Sequence, residues 1–285
     1  MMLVGTSGWS YDDWVGEFYP PGLGKDRWLE FYARYFHTTE VNSTYYIFPS
    51  AAAVHGWITK ASRLPGFEYS LKMPGRVTHE SLLLDIGHAL EFESRVLAPM
   101  RDAACLGATL IQLSPYAMRS EKGRRTEHLE RLKALLERLD TSRFDYAVEF
   151  RHRSWLEGVG LSGDVKDILK ERNVAACAVD GPSMPPIVED TATHSYLRFH
   201  GHNADIWYKK KPGDGRMNRY DYNYMQEELL PWKKRLEPMR GTIRAYFNNH
   251  PHANAVKNAR LFESLVGVES EPLKIEKQSD LSSYF

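Results

Sequence analysis

The stretch FEYSLKM, residues 67–73, alternates without a break: Phe67, Tyr69, Leu71 and Met73 are apolar, while Glu68, Ser70 and Lys72 carry polar groups. Side chains on a strand point alternately to its two faces, so this segment presents one apolar and one polar face. Seven other short runs also stop on polar or charged residues: MLVGTS (2–7), TTEVNSTYY (38–46), TLIQLSP (109–115), DYAVEFRH (145–152), AACAVDG (175–181), SYLRFHG (195–201) and IRAYFNN (243–249). Parity sets Val148 and Phe150 against Glu149 and Arg151, Cys177 and Val179 against Asp180, and Leu197 and Phe199 against Arg198 and His200. An antiparallel sheet with one wet face would give the same alternation. The segments between the runs decide the matter.

Those segments carry apolar residues three and four apart, as in LERLKALLERL (129–139), which is the period of an amphipathic helix. Helices are predicted over 27–36, 50–62, 82–106, 126–139, 164–172, 222–240 and 253–266. Strand and helix therefore alternate, the pattern of a parallel sheet with helical crossovers. We read the chain as α/β, a single (β/α)8 TIM-like barrel over residues 1–268, with a C-terminal tail over 269–285. The apolar strand faces then meet the helices, and the polar faces point into the barrel near its carboxyl end, where such folds hold their active sites. The link GPSMPPIVEDTATH (181–194) is too short and too rich in proline for a crossover helix, so irregular structure is expected after strand six.

Composition narrows the function classes. Lysine plus arginine equals aspartate plus glutamate at 37 each, so no global field draws the chain to polyanions. The two cysteines, Cys105 and Cys177, show no metal or redox spacing and fit a reducing, cytoplasmic compartment. No apolar run approaches the ~20 residues that cross a bilayer, and no membrane partner is expected.

The residues predicted to converge on the barrel mouth include Glu40, Lys72, Glu149, Arg151, Asp180 and Arg198, with Asn42, Gln112, His200, Tyr246 and Asn248 among them. Desolvating each ion costs several kcal/mol unless it is paired, and such clusters commonly hold acids and bases at shifted pKa values. Glu149 and Asp180 end adjacent strands and are read as general acid and base, with His200 as proton shuttle and Lys72 beside them. Arg151 and Arg198 suit a phosphate or carboxylate held bidentately. Asn42, Asn248 and Asn249 suit hydroxyls, and Trp9 and Tyr11 suit a stacked ring. A self-neutralising ion network is the purely structural alternative. No cofactor is expected, because three cations would repel a divalent ion; a single ion at Glu149, Asp180 and His200 is the competing reading.

Two long loops follow strand ends, 116–125 and 202–224. The second interleaves Trp207, Tyr208, Tyr220, Tyr222 and Tyr224 with Lys209, Lys210, Lys211, Arg216 and Arg219, so nucleic acid is a candidate partner through 207–224.

The strings GTSGWSYDDWVGEFYP (5–20), EVNSTYY (40–46), SLKMPGRVTHE (70–80), EFRHRSW (149–155), LRFHG (197–201) and YFNNHPHANAVKNA (246–259) resemble the YecE-like proteins, the family termed domain of unknown function seventy-two. The likeness runs from Val4 to about Leu265, and it implies a TIM-like barrel without supplying a reaction. The chain departs from the family pattern at QLSPYAMRS (112–120). From the residues themselves we expect an acid/base enzyme acting on a small, polar, anionic substrate, a phosphate ester first. The alternatives are a glycoside hydrolase and a non-catalytic nucleic-acid or anion binder.

Overall fold

The computed structural model describes residues 1–204, 217–237 and 239–269. Eight parallel strand positions form the barrel: β1 (Met2–Ser7), β2 (Thr38–Val41), β3 (Glu68–Lys72), β4 (Leu106–Gln112), β5 (Asp145–Glu149), β6 (Ala175–Ala176 and Ala178–Asp180), β7 (His194–Phe199) and β8 (Thr242–Phe247). The two halves of β6 lie at opposite ends of the sheet order, one against β5 and the other against β7, so the backbone at Cys177 closes the ring. Every pairing in this sheet is parallel, as the alternation of strand and helix requires.

The helical layer comprises α1 (Trp28–Tyr32), α2 (Ala51–Ala61), α3 (Ile86–Phe92), α4 (His128–Arg138), α5 (Gly163–Glu171), α6 (Gln226–Leu236) and α7 (Asn254–Val266). The apolar stripe of α4 buries Leu129, Leu132, Leu135 and Leu136, which is the period of three and four read from the sequence. Side chains cap α2 and α3: Ser50 Oγ accepts from the Ala53 amide at 3.2 Å, and Asp85 Oδ1 accepts from the His88 amide at 3.0 Å. After α3 the helix widens into a π-turn over Glu93–Leu97 before a last α-turn, Ala98–Asp102. Between β6 and β7 the chain is irregular, as its prolines imply. The tail expected over 269–285 falls, apart from Glu269, outside the described residues, as do positions 205–216 of the strand-seven loop.

The barrel interior is layered. At the amino end, Arg244 donates from Nε and Nη2 to the two oxygens of Glu68 at 2.6 and 3.1 Å, and from Nη1 to Asp145 Oδ2 at 3.0 Å. Above it lies a mainly apolar layer in which Ala108, Leu110, Ala147, Ala175, Cys177 and Val179 face Tyr196 and Tyr246. Small side chains on β4 to β6 complement large rings on β7 and β8, which fills the barrel at constant volume. This layer corrects the parity expected for β6: Cys177 and Val179 are the inward set. Partners in a parallel pair point to one face, and Val179 pairs with the inward Arg198, so Asp180 points out. No helix among the described residues is long and apolar enough to cross a membrane.

Candidate functional site

Above the tyrosines, at the carboxyl ends of the strands, Glu40, Lys72, Gln112, Glu149, Arg198 and Asn248 form the next layer. Arg198 lies between two acids. Its Nη1 donates to Glu149 Oε2 at 2.6 Å and its Nη2 to Glu40 Oε1 at 2.8 Å. Glu40 also accepts from Ser7 Oγ at 2.7 Å and from Tyr196 Oη at 2.7 Å, and Glu149 from Gln112 Nε2 at 2.7 Å. All three ions are buried, so each carboxylate meets donors where water would have stood.

A cavity of about 260 Å³ opens over this ion triplet, lined in part by Tyr11, Asn42, Lys72, Glu149, Arg151 and His200. Tyr46, Gln112, Ser183, Arg198, Tyr220, Asn248 and His250 complete the wall. Tyr11 stacks on His250 with ring centroids 4.5 Å apart and donates to the Ser7 carbonyl at 2.6 Å. His200 Nδ1 lies 3.1 Å from the Asn248 amide nitrogen. Burial, then the Arg198 charge, press His200 down to about 3, so the ring is neutral.

The carboxylates are locked in their ionised form. Burial works to raise the pKa of Glu149, but Arg198, with His200 and Arg151, outweighs it and holds the group at about 2. Glu40 is lowered for the same reasons, burial opposing and Arg198 prevailing. Lys72 behaves in the opposite sense. Burial and the Arg198 charge lower it from 10.5 to about 7, against the pull of Glu149 and Glu40 and with Arg151 adding to the lowering. Its Nζ stands 4.1 Å from the centroid of the Tyr45 ring, and among the described residues it has no carboxylate within ion-pairing distance.

Nine of the thirteen site residues expected from sequence line this cavity: Tyr11, Asn42, Lys72, Glu149, Arg151, Arg198, His200 and Asn248 in its wall, with Glu40 bonded into its floor. Trp9 stands beside it, in a neighbouring groove shared with Trp57 and bounded by Tyr11 and Asn42. Three do not converge. Asp180 faces the helical layer, where Oδ2 accepts from Trp232 Nε1 at 2.7 Å and Oδ1 from Tyr224 Oη at 2.8 Å and from His202 Nε2. The acid pair Glu149 with Asp180 is therefore not assembled, nor is an ion site at Glu149, Asp180 and His200. Tyr246 points inward but one layer too low, bonded to Thr38 and Ser70 hydroxyls at 2.6 and 2.8 Å. Asn249 turns outward and donates to the Asn258 side chain at 2.7 Å and the Tyr222 carbonyl at 2.8 Å.

Sequence reasoning missed Ser183, Tyr46 and the Tyr196 hydroxyl under Glu40. Each had a signal: Ser183 lies in the irregular link at a strand's carboxyl end, Tyr46 ends the run after strand two, and Tyr196 shares the parity of Arg198. Of the strand-seven loop, Trp207, Tyr208, Lys209, Lys210, Lys211 and Arg216 lie outside the described residues. Tyr222 and Tyr224 spend their hydroxyls on Glu228 and Asp180, which ties the end of that loop to the barrel.

The family model described as "Protein of unknown function DUF72" matches residues 3–281. The UPF0759 protein YecE of Escherichia coli K12 is 26% identical over 261 residues, covering 84% of this chain and 84% of that protein. A solved DUF72 family protein from Thermotoga maritima superposes with a TM-score of 0.77 at 28% identity, covering 94% of this chain and 99% of that one. A xylose isomerase domain protein from Alicyclobacillus acidocaldarius shares the fold, with a TM-score of 0.52 at 14% identity and 94% and 99% of the two chains covered.

Proposed function

We propose, for a chain that belongs to the DUF72 family of proteins of unknown function, an enzyme that binds a small, polar, anionic substrate in the cavity at the carboxyl end of the barrel. One observation carries this reading: Glu40 and Glu149 are both bound to Arg198, and the wall still presents Arg151 and Lys72, neither with an ion pair among the described residues. Two carboxylates against two arginines and a lysine leave the pocket neutral when Lys72 has lost its proton and at one positive charge when it holds it. An anion therefore finds its partner in Arg151 and in the ammonium form of Lys72, with Arg198 beneath. Phosphate esters and carboxylates both answer this description. Lys72 is the group poised to exchange a proton near neutrality, and it takes the acid/base role that the sequence had assigned to Glu149.

Sulfate, ionised throughout, is the probe. Thermal shift should register stabilisation by millimolar sulfate, none by glycerol, and little once Arg151 is alanine. Because the ammonium form of Lys72 favours the anion, sulfate affinity should rise about tenfold as pH falls from 8 to 6 and then level off. Equal shifts with glycerol, or an Arg151→Ala protein that binds sulfate as the parent does, would refute the reading.

The glycoside-cleaving alternative needs two carboxyl groups facing each other across open space for sugar and water. Here the two acids of the mouth are bridged by one guanidinium, which argues against it.

A further inference from the structure

We propose that Lys72 is a carbonyl-capturing residue: its amine adds to the carbonyl carbon of a small anionic aldehyde or ketone and holds it as an imine while the arginines hold the anionic group. This rests on the reading of the cavity as the substrate site and narrows its substrate to anionic carbonyl compounds.

An amine forms imines when it is uncharged, reachable and placed so that its cation is unwelcome, as happens beside other cations or in an apolar pocket. Each condition has a counterpart here. Lys72 ends β3 half-buried and lines the cavity, so the amine is reachable from that side. The groups that face it are Arg198 from β7, Arg151 and Glu149 from β5 and the turn beyond it, Glu40 from β2, and His79 from the turn after β3. Both acids in that ring are already hydrogen-bonded to Arg198, and His79 is itself held near 4 by burial and by the Lys72 charge. The Tyr45 ring, 4.1 Å from Nζ, favours the ammonium form by cation–π attraction, so the lowering comes from burial and the arginines and works against it. Lys72 at about 7 accordingly keeps an appreciable neutral fraction at physiological pH, where an exposed lysine keeps roughly one part in two thousand.

The step balances without any redox partner. The neutral Lys72 nitrogen forms a bond to the carbonyl carbon, and the carbonyl π pair moves to oxygen, which takes a proton. The nitrogen loses a proton, the C–O bond of the carbinolamine breaks as oxygen takes a second proton and leaves as water, and C=N forms. The protonated imine restores the positive charge of the ammonium form, now covalently next to the substrate anion.

Glyoxylate with sodium cyanoborohydride at pH 7 tests this, because reduction freezes the imine as a carboxymethyl amine that peptide mass spectrometry assigns to a residue. Lys72 should be labelled more than about tenfold faster than the exposed Lys60, with sulfate slowing Lys72 and leaving Lys60 unchanged. The intact mass of a Lys72→Arg protein, which retains a cation at this position, should lack the fast addition. Labelling of Lys72 no faster than Lys60 overturns the inference. If sulfate still raises the unfolding temperature of that same protein, the loss falls on the covalent step and the anion site survives it.

Discussion

Replacing Arg198 with methionine removes the side chain that donates to both acids of the barrel mouth. Arg198 is 2% exposed, Glu40 0% and Glu149 2%, so water cannot take over the role. Deleting one partner of a buried pair costs about 3–5 kcal/mol. A second route gives a similar figure. Glu149 is held at about 2 against an ordinary 4.5, and at 1.36 kcal/mol per tenfold in proton affinity this is about 3 kcal/mol for one carboxylate. Glu40 loses the same partner, so about 4–5 kcal/mol is expected, a fall in unfolding temperature of roughly 8–20 °C for a chain of this length. The loss must also depend on pH in a definite direction. In the parent, the lowered pKa of Glu149 contributes stability above pH 4.5 that is lost as pH falls toward 2. In Arg198→Met, burial acts without its counterweight and both folded-state pKa values rise above the unfolded value. The folded protein then binds protons more readily than the unfolded chain, and the penalty shrinks between pH 8 and pH 5. Thermal unfolding of parent, Arg198→Met and the triple variant that adds Glu40→Gln and Glu149→Gln measures all of this. The triple variant should regain most of the loss. A single variant within about 1 kcal/mol of the parent, or a triple variant no more stable than the single, would refute the account of the ion triplet.

Asp180→Asn should lower the unfolding temperature by roughly 2–12 °C, since an amide nitrogen must face either the Trp232 indole or the Tyr224 hydroxyl, at about 1–3 kcal/mol for a mispaired buried group. Its sulfate affinity should match the parent's; a selective loss of sulfate binding with unchanged stability would place Asp180 in the pocket after all. Gly241→Ala should cost roughly 2–3 kcal/mol in urea unfolding, because a left-handed backbone (φ +72°) is imposed on alanine and its Cβ would stand 1.8 Å from the Thr193 carbonyl oxygen. An unchanged midpoint would show that the turn into β8 relaxes freely.

The fold was legible because a two-residue period and a 3.6-residue period alternate along the chain, and neither depends on knowing any contact. Depth and register were less legible. Parity put Tyr246 inside correctly, yet the residue lies two positions before Asn248, about 6.6 Å back along the strand, where it meets Thr38 and Ser70 instead of the cavity. Glu68 shares a face with Lys72 and for the same reason ends in the lower ion cluster with Arg244. Strand six failed differently. AACAVD has small or apolar residues at five of its six positions, so a single terminal acid could not say which face was inward. Two things outside the strand decided it: the rings of Tyr196 and Tyr246, which leave room only for small neighbours, and the polar hydrogens of Trp232 and Tyr224, which wait in the helical layer for an acceptor.

The same geometry reassigns the chemistry. An acid can shuttle protons only if both of its forms are populated, and Glu149 and Glu40 are each bound to Arg198 in a site that penalises their neutral form. Their charge acts instead on the guanidinium. By fixing Arg198 in place as a cation, the acids let it bear on every titratable neighbour: it helps keep His200 neutral and lowers Lys72 toward neutrality. Of the six charges read from the sequence as a possible plug, Glu40, Glu149 and Arg198 form one, Asp180 lies outside the mouth, and Arg198 with Arg151 acts as an activating field on Lys72. What remains responsive at physiological pH is an amine on the cavity wall, with Arg151 beside it.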